Sequence, residues 1–592
     1  MSVRRWTTAA AGALMTVAAL GVSSPATAAT PAPPGVTHEQ NPRVPEGAVW
    51  TEEYFPSADH SGVELHADVL RPAGLPPHAK TPVILAVGPY FSHAGQTGPE
   101  GWPQTGPSSR FADFTTGTNL FARGYTYVMV DLRGFGGSTG CLDWVGPGEQ
   151  ADVRAAIRWT ATQRWSTGKV GMYGKSYDAV TGLVGNNLRV GPLKAVVAQE
   201  PVWNMYNYLF SNEVPRPNVT GTPNAYNSIA TMPTLPDDTG RYQANATYEQ
   251  AHPECLADNL TNNDNPDLDS SYWRARDLAT RAKGTNTPLF VTQGFIENNT
   301  KPEDMESYLD NHRGVERGWL GQWEHVRGNE TNSSGQLLQG RAGFFDEVMR
   351  FYDFYLKGIR PAVHDPAYAI EDSTGVWRAQ PTWPIESSDT TATLLDGEYV
   401  DDGAASALAA PSDQQWDMEH GADPAPPAAR GLAPASGSYV TWSTPVKSRL
   451  RITATPRLTL RASAPGNVMV KLWDVAPDGT AVMFDENVAL IEKAGRVGFD
   501  LKSTDWTLEA GHQLGVQIGT IGSGSWRDTP SGNTIAVTRA RLDLALQNPR
   551  FDVPTQGDRS PFLDTYLRQY TRTLTGVGPG TFPLTLRTVV PD

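Results

Sequence analysis

At 592 residues the chain is too long for one compact core, so two or more domains are expected. Its 48 basic against 63 acidic residues leave a net charge of -15; such a surface repels phosphate backbones and anionic lipid, which sets aside nucleic acid and membranes as partners. A hydrophobic fraction of 39% with 57 glycines, 47 prolines and 17 tryptophans favours a loop-rich fold with much β-structure over a helical bundle.

The N-terminus reads as an export signal: Arg4 and Arg5, an apolar stretch from Ala9 to Val22, then the small residues Ala26-Thr27-Ala28. Residues 1–28 are expected to be removed and the mature protein secreted. The apolar stretch is too short and too rich in Ala and Gly to anchor the chain. Twin-arginine and ordinary export both fit the paired arginines. Cys141 and Cys255 are the two cysteines, and in an exported chain a pair points to a disulfide.

Residues 29–45 form a Pro-rich lead-in. From residue 45 onward short apolar runs alternate with helical spacing. Pro82 to Gly88, Tyr125 to Asp131, Lys169 to Tyr173 and Lys194 to Ala198 suit strands buried on both faces of a parallel sheet. Between them Val153, Ala156, Ile157 and Ala161 recur at helical spacing, the strand–helix–strand order of a doubly wound α/β domain. Residues 203–285, rich in Asn, Asp, Tyr and Pro, break the rhythm and are expected to be a helical cap inserted over a site. The α/β pattern resumes with Pro288 to Gln293 and runs to a helix around Phe344 to Leu356. Trp377 to Pro384 then reads as a crossing segment, so this domain is placed at 45–385. A Pro/Ala-rich stretch at 405–436 precedes many alternating runs such as LRITAT, RLTLRA and RLDLAL, with no helical pattern of useful length. Residues 390–592 are expected to form a β-sandwich of the jelly-roll type.

The strongest local feature is Gly171-Met172-Tyr173-Gly174-Lys175-Ser176-Tyr177-Asp178-Ala179, an apolar strand followed by a helix-like segment. This is the context of the nucleophile elbow of α/β hydrolases, whose strained turn needs small flanking residues. Gly174 supplies one; Asp178 occupies the usual second glycine position and Ala179 lies one beyond. A serine nucleophile needs a base and a carboxylate to orient it, in the chain order Ser, acid, His. Glu297 stands just past the strand PLFVTQ, on the edge where ligands bind in open α/β sheets. His325 follows a further short apolar segment. His312 competes for the base, and Asp304 is the fallback acid.

Asp131-Leu132-Arg133-Gly134-Phe135-Gly136-Gly137-Ser138, the pair Glu149 and Asp152, Trp165-Ser166-Thr167-Gly168-Lys169-Val170-Gly171 and Gly174-Lys175-Ser176-Tyr177 occur in this order. Together they resemble the X-prolyl dipeptidyl peptidase and cocaine esterase family of serine hydrolases over nearly the whole mature chain. That family carries the same α/β-hydrolase domain, capping insertion and C-terminal jelly roll. Two departures are small: Ala179 stands where the family's last motif glycine falls, and Glu297 stands where its acid is commonly Asp. The resemblance implies that the Tyr90 hydroxyl, in Gly88-Pro89-Tyr90, helps form the oxyanion hole, with the backbone N–H of Tyr177 as second donor.

Gly294 to Pro302, with its Asn-x-Lys-Pro tail, and Tyr206-Asn207-Tyr208 are similar to motifs of the X-prolyl peptidases within the family. Such an enzyme removes an N-terminal dipeptide ending in proline. It needs an aromatic slot for the pyrrolidine ring, for which Trp203, Tyr206 and Tyr208 are candidates, and an acid for the free amine, with Glu200, Glu213 and the cap aspartates all open. An ester, amide or β-lactam acyl hydrolase on the same scaffold is the alternative. A binding protein using the jelly roll on carbohydrate is a third, opposed by the intact Ser/Glu/His set. A peptide or small acyl group is the expected substrate, and no metal or organic cofactor is required.

Overall fold

The computed structural model describes residues 35–76, 78–385, 388–403, 437–574 and 577–586. The expected export signal at 1–28 and the whole Pro/Ala-rich stretch at 405–436 lie outside the described residues. Among the described residues no helix is long and apolar enough to cross a membrane.

The catalytic framework is a twelve-stranded sheet. Its strands up to the first helix-rich region are β1 (Val36–Thr37), β2 (Ala48–Pro56), β3 (Glu64–Pro72), β4 (Thr81–Gly88), β5 (Thr126–Asp131), β6 (Ser166–Lys175) and β7 (Leu193–Gln199). A small hairpin of the insertion follows, β8 (Phe210–Ser211) and β9 (Val214–Pro215), before the sheet resumes with β10 (Leu289–Gly294), β11 (Glu316–Gly321), β12 (Tyr368–Glu371) and β13 (Trp377–Gln380). The order across the large sheet is β1-β2-β3-β5-β4-β6-β7-β10-β11-β12-β13, closed at the far edge by Val553–Pro554. From β5 to β12 every pairing is parallel. Parallel strands covered by helices on both faces are buried along their length, which is why Thr81–Gly88 and Thr126–Asp131 are buried at every position.

Two helices matter most to the site. Pro147–Thr162 (α1) begins with proline at its first position, where the missing N–H costs nothing. Tyr177–Leu188 (α2) leaves directly from Ser176 at the end of β6. Short helices fill the insertion between Met205 and Arg281, matching its fragmentary periodicity. The disulfide Cys141–Cys255 ties this insertion to the loop after β5 across 114 residues.

Between Ser388 and Thr573 the chain forms two antiparallel sheets, of six and five strands. Leu458, Leu460, Val470, Leu472, Leu542 and Leu544 are buried between them, on the inward positions of alternating strands.

Two expectations need correction, and one pair of strands is added. Trp377–Gln380 is not a crossing segment but a strand of the large sheet, antiparallel to β12; it is short and its proline-rich tail hides the pattern. The C-terminal region does hold a helix, Pro561–Tyr570, capped by the Ser560 hydroxyl and burying Phe562, Leu563 and Tyr566. The antiparallel pair β2 and β3 extends the sheet beyond the parallel runs recognised in the sequence.

Candidate active site

Ser176 sits between β6 and α2 with φ 62 and ψ -127, a conformation that costs a non-glycine residue roughly 1–3 kcal/mol. The turn is this sharp because the helix doubles back over the strand end: a Cβ at Gly174 would stand 2.2 Å from the Asp178 carbonyl oxygen and 2.7 Å from the Ala179 nitrogen. Ala179 is wholly buried, so its small side chain suffices there. The Ser176 N–H donates to the Gln199 carbonyl at the end of β7 (2.9 Å), and its side chain is half-buried.

Asp178, in the position usually glycine, fills space left free on the neighbouring strand. A Cβ at Gly88 would fall 1.7 Å from its Oδ1. Its Oδ2 accepts from Arg110 Nε at 2.6 Å, and Arg110 lies 4.0 Å over the Tyr90 ring. Burial raises the Asp178 carboxyl to about 6 against the pull of Arg110.

The acid and the histidine leave adjacent parallel strands. Gly294 ends β10 and Gly321 ends β11, and a Cβ at Gly294 would fall 1.9 Å from the Trp323 carbonyl oxygen, so only glycine lets the two loops run side by side. Nδ1 of His325 then lies 3.2 Å from Oε1 of Glu297, an ion-pair contact whose N–H is not aligned on the carboxylate. Pairs of this kind commonly tighten only when substrate binds. His325 is 16% exposed and Glu297 is fully buried. The loop wraps Glu297 in donors: Asn299 N (3.0 Å) and Thr300 N (2.8 Å) to Oε1, Thr300 Oγ1 (2.7 Å) and Lys301 N (2.6 Å) to Oε2. Burial opposes the negative charge, but His325 and the Thr300 donors outweigh it and hold the carboxyl down at about 2. His325 is held below its ordinary value by burial and by the charge of Lys175, against the pull of Glu297.

The competing residues are engaged elsewhere. His312 binds Glu316 Oε1 through Nδ1 (2.9 Å) and the Thr287 carbonyl through Nε2 (3.0 Å). Asp304 accepts from Asn204 and Asn207, each at 2.9 Å. Glu200 is fully buried behind Glu297, accepting from Trp323 Nε1 (2.9 Å) and Gly294 N (3.0 Å); burial and the neighbouring Glu297 push it up to about 8. It is not placed to meet an entering amine. Glu213 is half-buried on the insertion, its N–H donating to the Tyr206 hydroxyl.

The Tyr90 hydroxyl shares a 2.5 Å hydrogen bond with the Tyr226 hydroxyl. Tyr177 is the first residue of α2, where a backbone N–H has no partner within the helix. Its hydroxyl donates to Glu149 Oε2 (2.7 Å). Of the aromatics picked out in the sequence, Trp203 and Tyr206 are buried and Tyr208 is half-buried. Trp203 is fully buried, donating to Gln293 Oε1 (2.9 Å) and packed on Tyr308. Tyr206 is buried against Phe210, its hydroxyl donating to the Pro266 carbonyl (2.8 Å). Both pack in the core of this domain. Tyr208 is half-buried and faces Trp144 at 5.8 Å. Trp144 also faces Tyr177 (5.6 Å) and Tyr226 (5.4 Å), and Tyr226 closes on Tyr177 at 5.3 Å. Trp144 and Val145 both have left-handed φ (46 and 61), strain held by the Glu149 carboxylate, which accepts from Val145 N at 2.9 Å. In sequence Trp144 is one aromatic among many; the run of positive φ has no residue-type signal.

The sandwich reaches this site too. Asn298 donates to Ser525 Oγ (3.2 Å), and Arg527 bonds Thr220 of the insertion.

A fold of this kind, with a strained serine and a His–carboxylate pair on one sheet edge, defines a serine hydrolase of the α/β-hydrolase type. The family model "X-Pro dipeptidyl-peptidase (S15 family)" matches residues 61–327, and "X-Pro dipeptidyl-peptidase C-terminal non-catalytic domain" matches 361–542. The chain belongs to this family. It is 24% identical over 536 residues to the Xaa-Pro dipeptidyl-peptidase of Lacticaseibacillus rhamnosus, covering 77% of this chain and 64% of that one. A relative from Streptomyces avermitilis is 28% identical over 382 residues, 59% of this chain and 52% of its own, so the chain spans between half and two thirds of these relatives' length. The cocaine esterase of a Rhodococcus species is 24% identical over 560 residues, 80% of this chain and 92% of the esterase. Among solved structures, an aminopeptidase from a marine sediment Thaumarchaeota archaeon shares the fold with a TM-score of 0.61 at 20% identity, covering 85% of this chain and 97% of that one. An α-amino acid ester hydrolase does so at 0.59 and 16%, covering 84% and 97%.

Proposed function

We propose that the mature protein is a secreted serine exopeptidase that releases N-terminal Xaa-Pro dipeptides. Ser176 is the nucleophile, His325 the base and Glu297 the residue that orients it. The observation that carries this is the pairing of His325 with a Glu297 saturated by loop donors, on the sheet edge where β6 delivers the strained Ser176. His325 takes the proton from Ser176 Oγ as Oγ attacks the carbonyl carbon after proline. Tyr90 Oη–H and Tyr177 N–H receive the negative charge that develops on the oxygen. The C–N bond breaks as His325 gives its proton to the departing amine. Water then enters, His325 takes its proton, the hydroxide attacks the acyl carbon, and the proton returns to Ser176 as the ester bond breaks. Trp144, Tyr208 and Tyr226 gather around Tyr177, the residue after Ser176, and are the aromatic faces offered to a pyrrolidine ring. Secretion is supported by the Cys141–Cys255 disulfide, a bond of oxidising compartments. The domain division proposed is a signal at 1–28, a hydrolase domain at 45–385 with its cap at 203–285, and a sandwich at 390–592.

A second reading, a carboxylic ester hydrolase, is favoured by one observation: the match covers 92% of the cocaine esterase but 64% or less of the first two relatives above. The deciding experiment is hydrolysis of Gly-Pro and Ala-Pro p-nitroanilides beside p-nitrophenyl butyrate, by the mature protein and by Ser176→Ala. Anilide release that is lost in the variant and on acetylating the substrate amine establishes the peptidase. Ester turnover without anilide turnover moves the assignment to the esterase.

A further inference from the structure

Away from Ser176, four ligating side chains converge inside the antiparallel flank of the sheet. Glu52 on β2 and Asp68 on β3 are directly opposite partners. His66 lies two residues before Asp68 and shares its face, because side chains alternate along a strand. His93 comes from the loop after β4. One atom each of Glu52, His66 and His93 lie within 4.8 Å of one another. His66 Nε2 is 3.6 Å from Glu52 Oε1 and 3.9 Å from Asp68 Oδ1, and His93 Nε2 is 3.4 Å from the same Asp68 oxygen. Ligands about 2.0–2.2 Å from a tetrahedral zinc ion stand about 3.3–3.6 Å apart; the 3.4 and 3.6 Å separations match this, and the wider ones would close by a fraction of an ångström to about one on binding.

The imidazoles are oriented from behind. His66 Nδ1 contacts Asp131 Oδ2 and His93 Nδ1 contacts Asp238 Oδ1, each at 2.8 Å, which fixes both rings with Nε2 turned toward the common centre. This carboxylate–histidine relay is what metal-bound histidines show. Several inward atoms lack partners: His66 Nε2, Asp68 Oδ2 and Glu52 Oε1 are buried without a hydrogen bond, while Asp68 Oδ1 accepts from Trp50 Nε1 (2.7 Å). His66 and Asp68 are each 1% exposed or less. Among the described residues no lysine or arginine pairs with Glu52, Asp68, Asp131 or Asp238. Arg43 lies within electrostatic reach of Asp68 and Asp238, and four carboxylates around two imidazoles in a closed space still favour added positive charge.

We propose that Glu52, His66, Asp68 and His93 form a structural site for a divalent transition-metal ion, zinc foremost. Two imidazoles with two carboxylates favour such an ion over calcium or magnesium, which prefer all-oxygen shells. The site is closed by Tyr242, stacked on His93 at 4.1 Å, and by Tyr54 and Trp50, so it has no open position for substrate. Its effect is mechanical. It joins β2 and β3 to the loop that carries Tyr90, three residues before His93, and through Asp238 to the cap.

The test does not depend on which substrate is cleaved. The full mature chain, purified without chelator, is analysed by inductively coupled plasma mass spectrometry and by thermal unfolding before and after a strong chelator. About one equivalent of zinc per chain is expected, with a lower Tm after chelation that Zn²⁺ restores and Ca²⁺ does not. Asp238→Asn keeps a similar shape and is expected to weaken zinc affinity about 10- to 100-fold; Glu52→Gln, at the more exposed ligand, weakens it further. A folded protein without metal, whose Tm is unmoved by Zn²⁺ or chelator, overturns the proposal. Bound zinc unaffected by both substitutions overturns it equally.

Discussion

Histidine meets buried carboxylate in two places, and the surroundings of the carboxylate set what each pair can do. At Glu297 four loop donors satisfy both oxygens, so the acid stays ionised without demanding a full positive charge from His325. That imidazole is held below its ordinary value and keeps one edge in reach of solvent. At His66 and His93 four donors (Trp50 Nε1, Gly137 N, Thr105 Oγ1 and Leu235 N) are spread over Asp68, Asp131 and Asp238, and Glu52 Oε1 receives none. Burial disfavours the charged imidazole there, yet Asp131, Glu52 and Asp68 overcome it and push His66 up to about 9. Such a field favours positive charge at the imidazoles, a proton when the site is empty and, on the proposal above, a metal ion in its place. A base and a cation trap thus use the same residue types, and the count of N–H groups around the acid separates them.

The comparison breaks if the Glu297 pair proves dispensable. Ser176→Ala and His325→Ala are each expected to lower kcat by at least about 10⁴-fold with Tm nearly unchanged. Glu297→Gln is expected to cost about 10⁴-fold in kcat by losing the charge that steadies the imidazolium, whereas Asp304→Asn leaves kcat near wild type. Stopped-flow release of p-nitroaniline or p-nitrophenol reads all four. Tyr90→Phe removes one donor to the oxyanion and should lower kcat about 10²–10³-fold, with KM little changed. Tyr208→Ala, at the half-buried wall of the slot, should raise KM about 10-fold for Ala-Pro substrates and leave kcat largely intact.

The pH profile sharpens the contrast at the smallest scale. The base works when neutral, and the His325 value lies below the ordinary 6.5. Activity should therefore persist into mildly acid solution and fall only as pH drops through that lowered value. A dipeptide anilide should show a further limb near the substrate amine, at about 8, that an unaminated ester lacks. An acid limb above 6.5 on both substrates would contradict the assigned surroundings of His325.

Much of this was legible in the sequence, for physical reasons that differ by residue. The buried parallel strands announce themselves because both faces are covered, and Gly174 and Ser176 because the strained turn tolerates few residue types. The Asn-x-Lys-Pro tail is now explained by its geometry: Asn299, Thr300 and Lys301 turn their backbone N–H groups onto Glu297. The places of Trp203, Tyr206 and Tyr208 were not legible, because they differ in burial, which depends on contacts far along the chain. The four metal-ligand candidates were missed because Glu52, His66, Asp68 and His93 obey no short spacing; strand pairing, not sequence, gathers them. The helix Pro561–Tyr570 escaped notice as one short amphipathic segment among strands.

Gly88 and Asp178 share one volume, since a single added carbon at 88 would collide with the Asp178 carboxylate. The two positions are therefore a single choice: bulk at 88 is admitted only with a smaller residue at 178, and that change would strip Arg110 of the carboxylate it bonds. No related chain with this backbone should carry side-chain bulk at both.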